Sequence, residues 1–422
     1  ARKVQLGLFE QLKVSMERVP IWLGATTIYF QSARVIKDTC KDISEINTNM
    51  IDLAKVSSAT NEELEKFMNT TPQMAKELGV LNTEVIATTA EISKLGYSLP
   101  DAEFLTRLSL IGKTVGDLDN AGQAVDYITS ILKGFRLETK EATGVVDYLN
   151  HTANTTSINF EALGEGFQRM SAAMSEGNNT LQESAGLLVA GYDVVRNSEM
   201  VSQALRTTSM RLRGVSEDGE DLSGLVPKLE EKFNKFGLSL KKDNDTFKST
   251  FEILKDVSTL DITDMEKAGL LEDIAGKRNS QVIAAVIQNM ETAIDVAGSF
   301  EESQGSAILE HQKYMESVEA AYNKLQASMT ELHQKLLQSE TVVGSLNFAT
   351  KIVENATALG KMGAVLTGVT IALGIFSLAN RKAIKDMTDL QIVSSVGGIK
   401  KLGSDIGTAI KMLLGFDVQL KG

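Results

Sequence analysis

The sequence predicts an all-α protein, and three features of its 422 residues indicate this. Prolines number only four, aromatic residues make up 5%, and Ala, Leu, Glu, Lys and Met are abundant, a composition that favours helix. Amphipathic segments recur at short intervals between glycine-containing turns. Runs that alternate apolar and polar residues, as strands do, are few. The predicted architecture is a set of stacked short antiparallel helical hairpins, followed by a long coiled-coil helix and a hydrophobic membrane-like helix.

The hairpins are predicted from a local design that repeats between residues 57 and 200. An amphipathic helix runs to a glycine, a short polar turn follows, and the next helix opens with an acidic residue. Glycine tolerates the left-handed position after a helix, Ser, Thr or Asn caps the next one, and an acid favours its positive end. Helices joined by turns this tight fold back on one another. The three instances are Leu78–Glu84, Gly96–Glu103, in which Pro100 fits the first turn, and Gly177–Glu183.

After residue 300 the apolar residues follow a seven-residue period, which is the pattern of a coiled-coil seam. His311 and Ser339 would form polar layers in it. The predicted oligomerisation seam consists of Ile308, Met315, Val318, Tyr322, Leu325, Met329, Leu332, Leu336, Val343 and Leu346. The alternative is a long helix that lies on its own domain, since isolated helices are marginal in water. The strict period of seven favours self-association.

A second apolar feature is Met362–Asn380, nineteen residues without a charge between Lys361 and Arg381. A helix of that length reaches about 28 Å, close to the thickness of a bilayer's hydrocarbon core. Ala364, Gly368 and Ala372 fall on one face, and such small residues let helices pack closely in lipid. A helix buried inside a multimer would have the same composition. We therefore expect this segment to be buried first and to contact a membrane later.

Charge and composition exclude several classes of function. A net charge of −12, from 43 basic and 55 acidic residues, argues against specific nucleic-acid binding. The single cysteine, Cys40, excludes an internal disulfide framework and a cysteine-based zinc site. The three histidines show no ligand spacing. We predict no cofactor, no metal ion and no metal ligands.

Two short motifs are similar to catalytic ones, and we expect neither to be catalytic. Gly112-Lys113-Thr114 resembles the end of a phosphate-binding loop, but Arg107 stands where the upstream glycine is required. Glu183 lies in a Glu-Ser pair like the acid of lytic transglycosylases, yet a helix-start glutamate explains it without catalysis. We predict no enzyme. The alternatives to a structural protein are a cell-wall-active enzyme similar to lytic transglycosylases and a bacterial helical membrane-associated pore-forming protein.

The sequence starts without Met, and we interpret it as a fragment of a longer chain. The predicted organisation has six parts. The parts are an N-terminal helical lead-in (1–56), a helical-hairpin core (57–213), an exposed insertion or loop (214–246), the helical end of the core (247–300), the coiled-coil helix (301–350), and the hydrophobic membrane-like helix with a C-terminal helical segment (351–422).

Several segments together carry a family resemblance. They are, in order, "WLGATTIYFQSARVIKDTCKDISEINTNMIDLAKVSSAT", "AKELGVLNTEVIATTAEISKLGYSLPDAEFL", "FEALGEGFQRMSAAMSEGNNTLQESAGLLVAGYD", "TTSMRLRG" and "LLEDIAGKRNSQVIAAVI". Their order and spacing resemble the conserved core region of phage tail tape-measure proteins, over about residues 20–300. Many relatives have an aromatic residue where this chain has Ala275.

The resemblance implies a structural protein that fills the lumen of the tail tube in the virion as an extended helical homo-oligomer, with a trimer favoured. Its length would set the length of the tail, and it would leave ahead of the genome at ejection. Implied partners are the tail tube protein, distal tail and baseplate hub proteins, tail assembly chaperones and, during infection, the host cell membrane. Transmembrane-like helices are common in the family, in agreement with Met362–Asn380.

Overall fold

The computed structural model describes residues 45–216, 222, 224–243 and 246–337 of the chain. The chain divides into two compact units, one of which is Glu45–Thr330. Within the described ranges the secondary structure is helical, and β pairing is limited to an isolated bridge between Lys241 and Phe247. The all-α prediction is confirmed for this part of the protein. Residues 1–44 of the predicted lead-in and all of 351–422 lie outside the described residues.

The first part of the unit is a succession of short helices that pack mainly on their neighbours in sequence. A helix over residues 45–56 comes first. It is followed by α1 (Asn61–Leu78), α2 (Asn82–Lys94), α3 (Leu99–Val115), α4 (Ala121–Gly134), a 3-10 turn (Thr139–Glu141), α5 (Ala142–Thr155), α6 (Phe160–Glu176), α7 (Leu181–Val195) and α8 (Ser198–Arg211). Helix α2 packs on α3, α6 lies between α4 and α8, and α7 contacts both α6 and α8.

The second part adds shorter helices that return to the first. They are α9 (Leu225–Lys235), α10 (Thr250–Ser258), α11 (Asp264–Ala275), α12 (Ser280–Gln288), α13 (Met290–Gly298), a 3-10 turn (Ser299–Ser303), α14 (Ser306–Tyr314) and α15 (Val318–Leu337). Helices α12 and α13 pack along α7, α11 packs on α8, and α14 crosses α3 and α5. The stack is therefore closed by contacts between distant parts of the chain.

The hairpin turns form where the sequence predicts them. Helix α1 ends at Gly79, which takes the left-handed conformation with φ 66°. Ser98 caps α3, and Pro100 lies in its first turn. Thr180 caps α7 by accepting a hydrogen bond from the Glu183 amide, and the Glu183 carboxylate accepts one from the Thr180 amide in return. These reciprocal bonds satisfy backbone donors that the helix itself leaves unpaired.

The third turn differs in detail from the prediction. Gly177 has φ −78°, and the left-handed residue is Asn178, with φ 58°. A Cβ added to Gly177 would lie 2.1 Å from Oγ of Ser209 on α8 and 3.0 Å from Oγ1 of Thr250 on α10. The glycine is needed because two other helices approach this turn, and the turn's own backbone geometry does not require it.

The segment 214–246, predicted as an exposed insertion or loop with a short helix over Val226–Phe236, contains a helix that contributes to the core. Helix α9 lies in it and buries Leu225, Leu229 and Phe233. Lys228 and Lys232 on the same helix both form ion pairs with Asp273 of α11. The apolar residues repeat every four positions on α9, so a short charged helix still has one face that packs inward.

The predicted long helix over 301–350 is interrupted. Residues 299–303 form a 3-10 turn, α14 ends at Tyr314, and α15 starts at Val318. Ser317 accepts a hydrogen bond from the Ala320 amide through its Oγ atom, which is the position of a helix N-cap. The seven-residue period of the sequence therefore continues across residues 315–317, where the helix is interrupted. The described part of this region ends at Leu337.

We expect the close packing of α4 and α6 to be sensitive to one methyl group. A Cβ on Gly164 of α6 would lie 2.2 Å from Cδ2 of the buried Tyr127 ring, so Gly164→Ala should destabilise the protein by about 1–3 kcal/mol. Gly269 of α11 is the matched control, because nothing lies within 4 Å of an added Cβ. Gly269→Ala should stabilise by about 0.5–1 kcal/mol through helix propensity. Thermal unfolding followed by circular dichroism measures both, and equal effects of the two variants would contradict the packing argument.

Candidate assembly surface

The two C-terminal described helices, α14 and α15, form an arm that is fixed to the rest of the unit by polar contacts. The carboxylate of Asp147, buried on α5, accepts hydrogen bonds from the amides of Gly305 (2.9 Å) and Ala307 (3.0 Å). These are among the donors that a helix leaves unpaired at its start. Asn150 of α5 donates to Oγ of Ser306 at 2.7 Å. The start of the arm is thus fixed by α5.

The second attachment of the arm is the turn between α1 and α2. The carbonyl oxygen of Gly79 accepts hydrogen bonds from the Tyr314 hydroxyl (3.1 Å) and from Nδ2 of Asn323 (2.9 Å). The backbone approaches closely here, since a Cβ on Gly79 would lie 2.8 Å from Sδ of Met315 and 2.9 Å from Cβ of Ala320. Both ends of the break between α14 and α15 are therefore held against one turn.

Helix α15 has two opposite faces of different character. Ala320 and Ala327, at 0% and 1% exposure, lie against the unit. Val318, Tyr322 and Leu325, which we call the apolar stripe, are 69%, 57% and 60% exposed. At about 3.6 residues per turn these two sets lie on opposite sides of the helix. The larger apolar side chains therefore point outward and the smaller ones inward, the reverse of an ordinary surface helix.

The predicted seam residues fall into three groups. Ile308, at 45% exposure, and the apolar stripe are exposed, as a seam available to another chain requires. Met315 instead packs against Gly79 of its own unit. The side chains of Met329, Leu332 and Leu336 and the whole of Val343 and Leu346 lie outside the described residues. Whether these residues form a seam between chains therefore stays a prediction.

His311, predicted as a polar layer of the seam, is buried inside the unit at 6% exposure. Its Nδ1 atom lies 2.8 Å from Oγ1 of Thr114 on α3, and its ring stacks on Tyr314 with 5.6 Å between centroids. The heptad period alone placed His311 in the seam. Helix α14, which ends at Tyr314, packs on α3 and α5, and His311 lies on its packed side.

The sequence predicted Gly79 as a turn glycine, but it did not predict that Gly79, Asp147 and Asn323 attach the arm. Their partners lie 158 to 244 residues away along the chain, and local patterns carry no information on such contacts. One local signal was available for the break itself. Ser317 followed by Val318 and Glu319 is a helix-start pattern, and Gly305 marks an earlier interruption.

The residues of the two catalytic-like motifs have structural partners. The Glu183 carboxylate accepts hydrogen bonds from the Thr180 amide at 2.9 Å and from Oγ of Ser249 at 3.3 Å. Gly112, Lys113 and Thr114 lie inside helix α3, and Lys113 pairs with Glu84 of α2. A phosphate-binding loop needs consecutive free backbone amides, and the interior of a helix offers none.

The landmark "TTSMRLRG" contains a half-buried structural arginine, Arg213, just before its final glycine. Arg213 donates hydrogen bonds to the carbonyl oxygens of Gly177 and Lys248, and its guanidinium lies 5.7 Å from the Phe247 ring centroid. Burial lowers the pKa of Arg213 to about 10. The side chain joins the end of α6 to the segment before α10, so this landmark has a role in holding the fold together.

The described part of the unit contains cavities, two of which differ in size and lining. The larger, of about 600 Å³, lies between α8 and the start of α12 and has Arg211, Glu272, Lys277 and Arg278 among its lining residues. The smaller, of about 280 Å³, is lined mainly by apolar residues that include Phe135, Leu181 and Phe300. No group of three or more His, Cys, Asp or Glu residues that could hold a metal ion occurs among the described residues.

The predicted membrane helix Met362–Asn380, with its packing residues Ala364, Gly368 and Ala372, lies outside the described residues. Within residues 45–337, as far as they are described, no helix is both long enough and apolar enough to cross a membrane.

The described residues define an all-helical protein with an exposed apolar stripe on α15. In a comparison with protein families, residues 69–276 match the family described as phage-related minor tail protein. Searches of curated proteins and of solved structures found no match to the chain. The family match supports a phage tail protein with a structural role, located in the tail of the virion.

Proposed function

We propose that the chain is a tape-measure protein that occupies the lumen of the tail tube, sets the length of the tail and assists delivery of the genome through the host membrane. The family match over residues 69–276 supports the tail. The ordered segments from "WLGATTIYF" to "LLEDIAGKRNSQ" support the tape-measure class within it. The unit is all-helical over its described residues, and helices give a protein a defined length along an axis.

The observation that carries the proposal is the apolar stripe of α15. Three large apolar side chains at heptad spacing are exposed, while the opposite face of the helix is already occupied by its own unit. A second copy could therefore pair with the stripe without displacing any described contact. We propose that the copies form a homo-oligomer through α15, with three chains favoured by the family resemblance.

The other partners follow from the proposed position in the tail. They are the tail tube protein around the lumen, the distal tail and baseplate hub proteins at its end, tail assembly chaperones before assembly, and the host membrane during infection. We assign the chain no enzymatic activity, no cofactor and no specific nucleic acid binding. Glu183 acts in this proposal through helix capping alone.

The length-setting role predicts that added helix lengthens the tail. A duplication of residues 318–345 adds 28 residues, or four heptads, and keeps the stripe in phase. At about 1.5 Å per residue the tail should grow by about 42 Å, measured by electron microscopy of purified virions. A flexible Gly/Ser insertion of the same residue number between positions 219 and 220 is the control and should leave the length unchanged. Unchanged tails in the duplication variant would contradict length setting by this helix.

The assembly role predicts that charge on the stripe prevents self-association. Tyr322→Asp with Leu325→Asp places two carboxylates per chain in the proposed seam, and buried unpaired charges are expensive. Sedimentation of the full chain should show association weakened more than about tenfold, the effect of roughly 1.4 kcal/mol.

The matched control for the stripe is Ala321→Asp with Ser328→Asp. These residues are also exposed on α15 but flank the stripe, so the control adds the same charge outside the buried seam and should weaken association less than the stripe variant does. Both double variants should keep the helical circular dichroism signal, since none of the four side chains is buried. Equal association of the two double variants would exclude the stripe as the seam.

The delivery role predicts that a charge in Met362–Asn380 affects ejection and leaves assembly intact. Ile371→Lys costs roughly 2.5–3.5 kcal/mol in membrane insertion, whereas a lysine in a packed multimer can extend its charge to water. Phage with this variant should build tails of normal length, eject DNA poorly and cause less leakage from liposomes. Gly368→Leu keeps the segment apolar but blocks close approach along the small-residue face. Normal DNA delivery by both variants would show that the segment is ordinary core.

A further inference from the structure

Apart from Tyr314 and Met315, which reach the Gly79 turn, the contact between the arm and the unit contains little large apolar surface. On the inward side, the buried residues of the arm are Ala307, His311, Ala320, Ala327 and Thr330. The large apolar side chains Ile308, Leu309, Val318, Tyr322 and Leu325 are exposed instead. Small side chains bury little area, so the hydrophobic contribution to attachment is small. Attachment of the arm therefore depends strongly on the quality of its polar contacts.

The least adaptable of these polar contacts is His311. Oγ1 of Thr114 donates its hydrogen to the Ile111 carbonyl at 2.8 Å, so it is left to accept the hydrogen of Nδ1 of His311, also at 2.8 Å. This arrangement places the proton of a neutral imidazole on Nδ1 and leaves Nε2 with a lone pair. Nε2 is buried and has no hydrogen-bond partner. A second proton on the ring would have no acceptor.

The charged groups on the surrounding elements make that proton still less favourable. Lys324 of α15 lies close enough to repel an imidazolium, and burial together with this lysine lowers the pKa of His311 below its usual value. The carboxylates on the surrounding helices already have partners. Asp147 of α5 accepts hydrogen bonds from the Gly305 and Ala307 amides, and Glu310 of α14 accepts them from Asn150 and Asn154. Glu84 of α2 forms an ion pair with Lys113 of α3. Further titratable groups on these helices are Tyr314, Glu319 of α15 and His151 of α5. The Tyr314 ring stacks on His311, and burial and the negative charge of Glu319 raise the pKa of Tyr314.

We propose that the arm is detachable and that protonation of His311 weakens its attachment to the unit. The neutral ring fits between Thr114 and Tyr314, whereas the imidazolium would be an unpaired cation beside Lys324. Acidification thereby releases a helix whose other face carries the apolar stripe. This inference concerns the attachment of the arm to its own unit and holds whether or not the stripe is an assembly seam.

The sign of the effect follows from linkage. The attached arm binds the His311 proton more weakly than the detached arm, whose histidine has a pKa of about 6.5. Attachment is therefore at full strength above about pH 6.5 and weakens as the pH falls below it. One proton limits the loss at pH 5.5 to about tenfold in the attachment equilibrium.

Hydrogen exchange of the full chain at pH 7.5 and 5.5, corrected for intrinsic exchange rates, tests the proposal. Peptides covering residues 306–330 should lose up to about tenfold in protection at the lower pH, while α6 and α8 keep theirs. His311→Gln should abolish the pH dependence of the arm, because glutamine does not titrate. His151→Gln, on half-buried His151 of α5, is the matched control and should keep the behaviour of the unaltered chain.

A second variant keeps the test decisive if His311→Gln already detaches the arm. Lys324→Glu replaces the charge that repels the His311 imidazolium with one that attracts it, so the pH dependence should flatten or reverse. Lys324→Met should only reduce it. The proposal is overturned if the arm of the unaltered chain is equally protected at both pH values, or if α6 and α8 lose protection together with it. It is also overturned if the arm of the Lys324→Glu variant shows the same pH dependence as the arm of the unaltered chain.

Discussion

The carbonyl of Gly79 sets which face of α15 meets solvent. Tyr314 and Asn323 both donate to this one oxygen, from the two sides of the break between α14 and α15. With both donors attached to the same acceptor, the rotation of α15 about its axis is fixed. Ala320 and Ala327 then face the unit, and the apolar stripe faces outward. The approach is possible because residue 79 has no side chain.

This arrangement combines two interpretations that the heptad period leaves open. A long helix on its own domain and a helix available to another chain are alternatives when one apolar face must serve both. In α15 the alanine face serves the first role, and the stripe is left for the second. The heptad period cannot distinguish the two faces from sequence, because alanine counts as an apolar residue on either face. Only the contact at Gly79 distinguishes the two sides.

The sequence predicted the helices and most of their turns well, since these depend on neighbours a few residues away. The capping of α7 by Thr180 and Glu183 is an example. Contacts across long separations could not be predicted, and they decide the candidate site. Asp147 meets Gly305, and Thr114 meets His311, 158 and 197 residues apart. Gly177 shows the same limit within the fold, because its requirement comes from Ser209 and Thr250.

Two of the segments that carry the family resemblance, the one from Phe160 to Asp193 and "TTSMRLRG", meet near the end of α6. Arg213 binds the carbonyls of Gly177 and Lys248, and Asn179 donates to the Met174 carbonyl while accepting from the Phe251 amide. These contacts join α6, α8 and α10, elements that the chain order keeps apart.

The separation of 235 residues between Gly79 and Tyr314 also orders the events of synthesis. Domains generally fold as the chain leaves the ribosome, so α1 to α13 are available for folding before the arm emerges. During that interval the site that will receive the arm exposes polar groups such as the Gly79 carbonyl, the Thr114 hydroxyl and the Asp147 carboxylate. Water can solvate these groups, whereas an exposed apolar groove would invite aggregation. The groups that will bind α14 and α15 are thus compatible with water while the nascent protein waits for these two helices.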